Sequence, residues 1–243
     1  MELSNKILIA LGKTDFRENC LKLIQYISKI LHDRLGFTNY SEIALQANIL
    51  SMNISIARKV LRFGLPLGVM IMLRKRYRLK NFSKIEWSSD IISLIFLFAD
   101  HLLYFQQIKV IGIPIDSNWT MIVEIVRNLA WLLKSIVTIV SDSIKIHKLQ
   151  IKIHQVVKLA HRNENSELIY KQAKEDYKQL LIQNNLLVWN FLKSILEIPI
   201  PIYYLDQARG YSTLVGILGS FSALIGINQS WKQIHNLNTQ LRI

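Results

Sequence analysis

Three histidines recur at intervals of seven, His147, His154 and His161, and such a series is the first place to look for a metal. Seven residues of helix rise about 10.5 Å, far more than one ion bridges with Zn–N bonds of about 2.0–2.1 Å. With Lys148, Lys152 and Lys158 among them, the histidines read as a wet basic stripe. Cys20 is the only cysteine, which leaves no disulfide framework and no thiolate metal site. The glycine pairs Gly210/Gly216 and Gly216/Gly219 lack the Lys-Ser or Lys-Thr that completes a phosphate loop. No nucleophile, base and orienter can be assembled. The sequence therefore predicts no enzyme, no cofactor and no metal.

What remains is charge set against apolar surface. Asp100 and His101 adjoin near the centre of Ile91 to Ile113, a stretch with one acidic and one basic residue. A charge at the middle of a bilayer costs roughly 2.5–3.5 kcal/mol on insertion scales, so this buried polar pair should face protein or an aqueous gap. A second constellation lies between Asn53 and Arg78. At 100° per residue Arg58, Lys59 and Arg62 cluster on one side, with Ile56, Val60, Gly64, Leu67 and Ile71 on the other. Phe63 to Leu73 is free of charge and holds Met70; Arg74, Lys75, Arg76, Arg78 and Lys80 follow. Eleven apolar residues are too few to span a bilayer. Basic flanks suit a helix lying in the interface, with Ile56, Val60, Phe63, Leu67, Met70 and Ile71 among acyl chains. Arg58, Lys59, Arg62, Arg74, Lys75 and Arg76 would then sit on lipid phosphates. A basic face over a protein core is the alternative, and Pro66 is a place for a kink.

The elements that must hold these residues are helical. Thr14-Asp15 reads as a helix start and Gly36 as a stop, with Phe16, Cys20, Leu23, Ile24, Ile27 and Leu31 on one face. Arg17, Lys22, Gln25 and Lys29 lie opposite. Asn118 to Asp142 and Asn184 to Ile198 are apolar helices, each with one polar stripe, fit for a surface or for lining a bundle. Ile146, Leu149, Ile153, Val156 and Ala160 form a short seam at alternating spacings of three and four.

Gly210 to Trp231 is a run of 22 residues without a charge. As a helix it reaches roughly 33 Å, enough for a hydrocarbon core of about 30 Å. Gly216, Gly219, Ser220 and Ala223 place small residues at helical spacing, a seam that lets helix backbones approach closely and suits self-association. Tyr211 and Trp231 stand at its ends, where aromatics favour the headgroup layer. The fold class expected is all-α, an integral membrane protein with a clear C-terminal transmembrane helix and a second near residues 91–113. Along the chain this divides into an N-terminal amphipathic-helix region (1–86), a membrane-embedded helix (87–113), a central helical region (114–209), the C-terminal span (210–231) and a tail (232–243).

The formal charge of +13 is uneven: residues 1–90 carry 15 basic against 7 acidic side chains. An excess bordering apolar segments favours an anionic phospholipid membrane over nucleic acid as partner. The apolar patch Ile7 to Leu11 is too short for a secretory signal.

Several of these segments carry a resemblance. Thr14-Asp15-Phe16-Arg17-Glu18 leading to Leu23-Ile24-Gln25-Tyr26 resembles the N-terminal signature of the peroxin-11 family of peroxisomal membrane proteins. Ala57-Arg58-Lys59-Val60-Leu61-Arg62-Phe63-Gly64 with Pro66-Leu67 is similar to its next motif, and Ala99-Asp100-His101-Leu102-Leu103-Tyr104 to its Asp-His-Leu-Leu stretch. Pro199 to Tyr204 and Leu214 to Trp231 resemble its closing region. The chain departs at Leu65, where members often carry Lys. The resemblance implies peroxisomal location with cytosolic termini, a homo-oligomer, membrane elongation by an inserted helix, and help in recruiting dynamin-like fission machinery. A pore or solute channel built from the polar stripes and Asp100 is the competing function. The position of Glu124, Arg127 and Lys134, facing water inside the bilayer or lying on its surface, discriminates the two.

Overall fold

The computed structural model describes residues 3–36, 40–79, 83–162, 167–206 and 212–240. Within them the chain is helical, without strands: α1 (Leu3–Gly12), α2 (Thr14–Leu35), α3 (Ser41–Leu61), α4 (Leu65–Leu79), α5 (Lys84–Gln107), α6 (Asn118–Arg162), α7 (Glu167–Glu197), α8 (Pro199–Asp206) and α9 (Ser212–Gln240). α2 packs along α9 and α3, α5 along α6, and α6 along α7, while α4 sits at the edge against α5. The start at Thr14 follows the sequence, with Asp15 in the first turn and Arg34 in the last complementing the helix dipole. Asn118 to Asp142 and the seam after it are one helix of 45 residues, about 68 Å long. That is longer than the roughly 40–45 Å thickness of a whole bilayer. Over its C-terminal part Ile146, Leu149, Ile153, Val156 and Ala160 are half-buried, whereas Ile151, Val157 and Leu159 are exposed.

The helix expected from Asn53 to Arg78 is two helices. The chain turns at Arg62–Gly64, where Phe63 N–H bonds to Val60 O and Leu65 N–H to Arg62 O. Pro66, whose ring tolerates a first helical turn and no later one, lies at the start of α4 instead of kinking a continuous helix.

Among the described residues, three helical stretches are long and apolar enough to cross a membrane: Lys84–Gln107, Tyr170–Asp206 and Ser212–Gln233. The first starts seven residues earlier than Ile91 and stops at Gln107. Val110 N–H and Ile111 N–H then both bond to Phe105 O, and Gln106 ties the following loop through Pro114 O (2.9 Å) and Thr120 Oγ1 (2.5 Å). The Tyr170–Asp206 stretch was not expected as a span, because its polar stripe divides the apolar surface. Gly210 and Tyr211, the start of the expected last span, lie outside the described residues.

The faces are arranged opposite to those of a water-soluble bundle. On α2, Asn19, Lys22, Gln25 and Ser28 are buried, while Ile24, Ile27 and Leu31 are exposed. On α3, Ser51, Arg58 and Lys59 are buried, while Ile43, Leu45, Ile49 and Met52 are exposed. On α9 the outward stripe is Leu214, Ile217, Phe221 and Leu224. In lipid there is no gain from hiding apolar side chains from their like, whereas an unsatisfied polar group costs several kcal/mol, roughly. An apolar exterior over a polar interior is the arrangement that solvent favours.

Candidate functional site

The polar faces of α2, α3, α5, α6 and α7 meet around a cavity of about 880 Å³. The residues that build its floor come from distant parts of the chain. Arg58 donates to Glu18 Oε1 from Nη2 (2.6 Å) and Nε (3.0 Å), and to Gln25 Oε1 from Nη1 (2.5 Å). Arg62 bridges Glu18 (3.4 Å) and Asp100 Oδ2 (2.9 Å). Lys59 donates to Gln107 Oε1 at 2.8 Å. Lys22 forms an ion pair with Glu197 and donates to Ser222 Oγ at 2.9 Å, and Ser222 donates to Glu197 Oε1 at 2.6 Å, so α2, α7 and α9 are tied at one point. Lys29 donates to Tyr204 Oη, its ammonium 4.5 Å from the Tyr204 ring centroid.

Burial works to raise the Glu18 carboxyl, but Arg58, Arg62 and Lys22 outweigh it and hold the group down at about 2. Burial brings the Lys29 ammonium down to about 8, with Arg58 and Arg127 adding to the effect. Burial likewise lowers Lys59 to about 8, against the pull of Asp100. The Glu18 shift has a measurable consequence. A carboxyl held below its ordinary 4.5 stabilises the fold above that pH and loses the contribution as pH falls toward about 2. The melting temperature of the wild type should therefore exceed that of Glu18→Gln at neutral pH and converge with it between about pH 4.5 and 2. A gap that stayed constant through that window would separate Glu18 from the two arginines.

The lipid-phosphate assignment needs correction for the first basic cluster. Arg58 and Lys59 are buried and Arg62 half-buried, all three turned inward. Glu18, which Arg58 and Arg62 share, stands forty residues before Arg58, where helical periodicity cannot see it. Arg76 is also engaged, 2.9 Å from Asp90 and 3.7 Å from Glu86. Arg74 and Lys75 remain exposed and, with Arg78 and Ile71, outline a shallow groove on α4. The apolar set stays outside: Val60, Phe63, Leu67, Met70 and Ile71 are exposed and Ile56 is half-buried. Phe63 rests against the His101 and Phe105 rings, at centroid distances of 5.1 and 5.8 Å. Lys80 lies outside the described residues.

Asp100 and His101 are both buried, but not as a mutual pair. Asp100 takes Arg62, and His101 Nδ1 lies 2.5 Å from Leu97 O. The small-residue seam is likewise committed within the chain. A Cβ at Gly216 would lie 2.5 Å from Ile30 Cγ1, and at Gly219 2.5 Å from the Tyr26 ring. A Cβ at Gly226 would lie 2.3 Å from the Asn19 side chain. Ala223 is fully buried, and the Ser220 hydroxyl donates to Gly216 O. The close approach that the seam permits is made by α2. At the end of this face Trp231 meets Phe16, ring centroids 6.4 Å apart.

The sequence did not single out Glu18, Lys22, Lys193 or Glu197 as a set. The available signal was charge on otherwise apolar helices. Arg127 and Lys134, with Glu124, line the cavity and are not an outer basic surface.

A family model described as Peroxisomal biogenesis factor 11 (PEX11) matches residues 4–231, nearly the whole chain. No curated protein and no solved structure matches it. The matched region takes in the buried Glu18–Arg58–Arg62–Asp100 network, the peripheral basic helix and the glycine-lined α9, so the chain belongs to the PEX11 family, peroxisomal biogenesis factors associated with the peroxisomal membrane and acting in peroxisome proliferation.

Proposed function

We propose that the chain elongates the peroxisomal membrane without catalysis, as an embedded helical bundle that carries α4 as a wedge in one leaflet. The observation that carries this reading is the uncovered apolar side of α4: Leu67 and Ile71 are 62% and 68% exposed, one turn from the exposed Arg74 and Lys75. A helix of that character lies in the interface, with apolar side chains at the acyl boundary and cations on phosphates worth about 1 kcal/mol each. Insertion on one side expands that leaflet and bends the sheet. Self-association belongs to the same reading. With Gly216 and Gly219 covered by α2, the outer stripe Leu214, Ile217, Phe221 and Leu224 is the face of α9 left for a second copy. Cytosolic termini, and fission machinery of the dynamin type acting on the elongated membrane, complete it.

The full chain reconstituted into anionic vesicles tests the wedge. Leu67→Asp/Ile71→Asp should reduce tubulation several-fold while the protein stays embedded, because only α4 is altered. Tubulation equal to wild type would remove α4 as the effector. A second reading, a solute pathway, is favoured by one observation: Glu124, Arg127 and Lys134 line the polar cavity between the helices. Under it, Lys134→Gln alters vesicle permeability and the α4 variant does not.

A further inference from the structure

The cavity holds more positive charge than its own carboxylates neutralise. Lys22, Lys193 and Lys134 all lie in the field of Glu197, and only Lys22 is bonded to it. The Lys134 and Lys193 ammonium groups make no hydrogen bond or ion pair among the described residues. Glu18 and Asp100 are taken up by Arg58 and Arg62. Even so, Arg62 keeps its Nε buried with no acceptor among the described residues. Among the described residues, the side chains of Lys29, Lys59 and Arg127 hydrogen-bond to neutral partners, the Tyr204 hydroxyl, the Gln107 amide oxygen and the Asn128 amide oxygen. The other acids in the lining do not close the deficit. Asp15 and Glu124 are exposed, and Asp142 stands eight residues from Lys134 along α6, about 12 Å.

We propose that this cavity binds a phosphate-bearing anion, with the Lys134 and Lys193 ammonium groups as its donors. Uncompensated cations gathered in a concave cleft attract an anion more strongly than the same charges spread over a flat surface. Two ammonium groups, each with three donors, suit the several acceptor oxygens of a phosphate. A volume of about 880 Å³ falls within the roughly 300–1,000 Å³ of ordinary ligand pockets, large enough for a phosphorylated small molecule or for the head of a phosphorylated lipid. Both present the same chemistry to the lining.

The test uses the full chain in phosphatidylcholine nanodiscs. In one arm, pyrophosphate is titrated by calorimetry. In the other, retention of a phosphatidylinositol monophosphate doped into the disc is read by native mass spectrometry. One anion per chain should bind in at least one arm, the arm identifying the source as soluble or lipid. Lys134→Gln and Lys193→Gln should each weaken that binding about tenfold while the chain still unfolds cooperatively, since neither ammonium has a bonded partner to lose. Lys134→Arg should retain it, and Arg74→Gln on the outer surface should leave it unchanged. Absence of binding in both arms would overturn the proposal. So would binding that survives both cavity substitutions, or binding that is lost with Arg74→Gln.

Discussion

Lys22→Met should destabilise the bundle by about 3–5 kcal/mol, a large share of the roughly 5–15 kcal/mol that holds a domain together. Lys22 is 4% exposed and is held by Glu197 and Ser222 across three helices. Methionine fills most of the volume, so the loss does not come from a cavity. It comes from leaving the Glu197 carboxylate buried with only a serine hydroxyl bonded to it. Glu197→Leu should cost a similar amount, by leaving Lys22 buried beside Lys193 without its anion. The double variant Lys22→Met/Glu197→Leu should recover most of either loss, because replacing a buried ion pair by packed apolar groups is often neutral. Full recovery is not expected, since Lys134 and Lys193 also lean on Glu197. Denaturant unfolding of the full chain in micelles measures all three. Additive losses in the double variant would show that Lys22 and Glu197 do not act as a pair.

Gly219→Leu should lift α2 off α9. Its Cβ would stand 2.5–2.6 Å from three atoms of the Tyr26 ring, closer than carbon atoms approach. Tyr26 has nowhere to retreat, being 2% exposed and packed with Ile200 and Val215. Overpacking of this kind costs about 1–3 kcal/mol, occasionally more. Tyr26→Ala alone should cost about 3–5 kcal/mol for the space it empties. Combining them places the new leucine in the emptied space, so the pair should be less damaging than the sum by about 0.5–3 kcal/mol. Leu224→Ala, on the outward stripe, should change stability little. If Gly219→Leu altered only crosslinking between copies and left unfolding unchanged, the seam would belong to a second chain and not to α2.

The sequence legibly marked the helices and their angular faces, since apolar residues at three- and four-residue spacing determine a direction around a helix axis. It marked the membrane as solvent, because the uncharged 22 residues of Gly210 to Trp231 have few other uses. The seam at Gly216, Gly219, Ser220 and Ala223 was legible as a place of close helix approach. Its occupant was not, because small residues admit a backbone without specifying whose it is. Arg58, Lys59 and Arg62 were legible as one basic face. Only the tertiary structure decided that this face turns inward, since the decision lies with Glu18 and Asp100, forty and thirty-eight residues away. Periodicity gives the axis of amphipathicity without its sign. Water would have turned Ile24, Ile27 and Leu31 inward; lipid leaves them outside and rewards the pairing of Lys22, Arg58 and Arg62 with buried acids, because in hydrocarbon the unpaired polar group, and not the exposed apolar one, carries the cost.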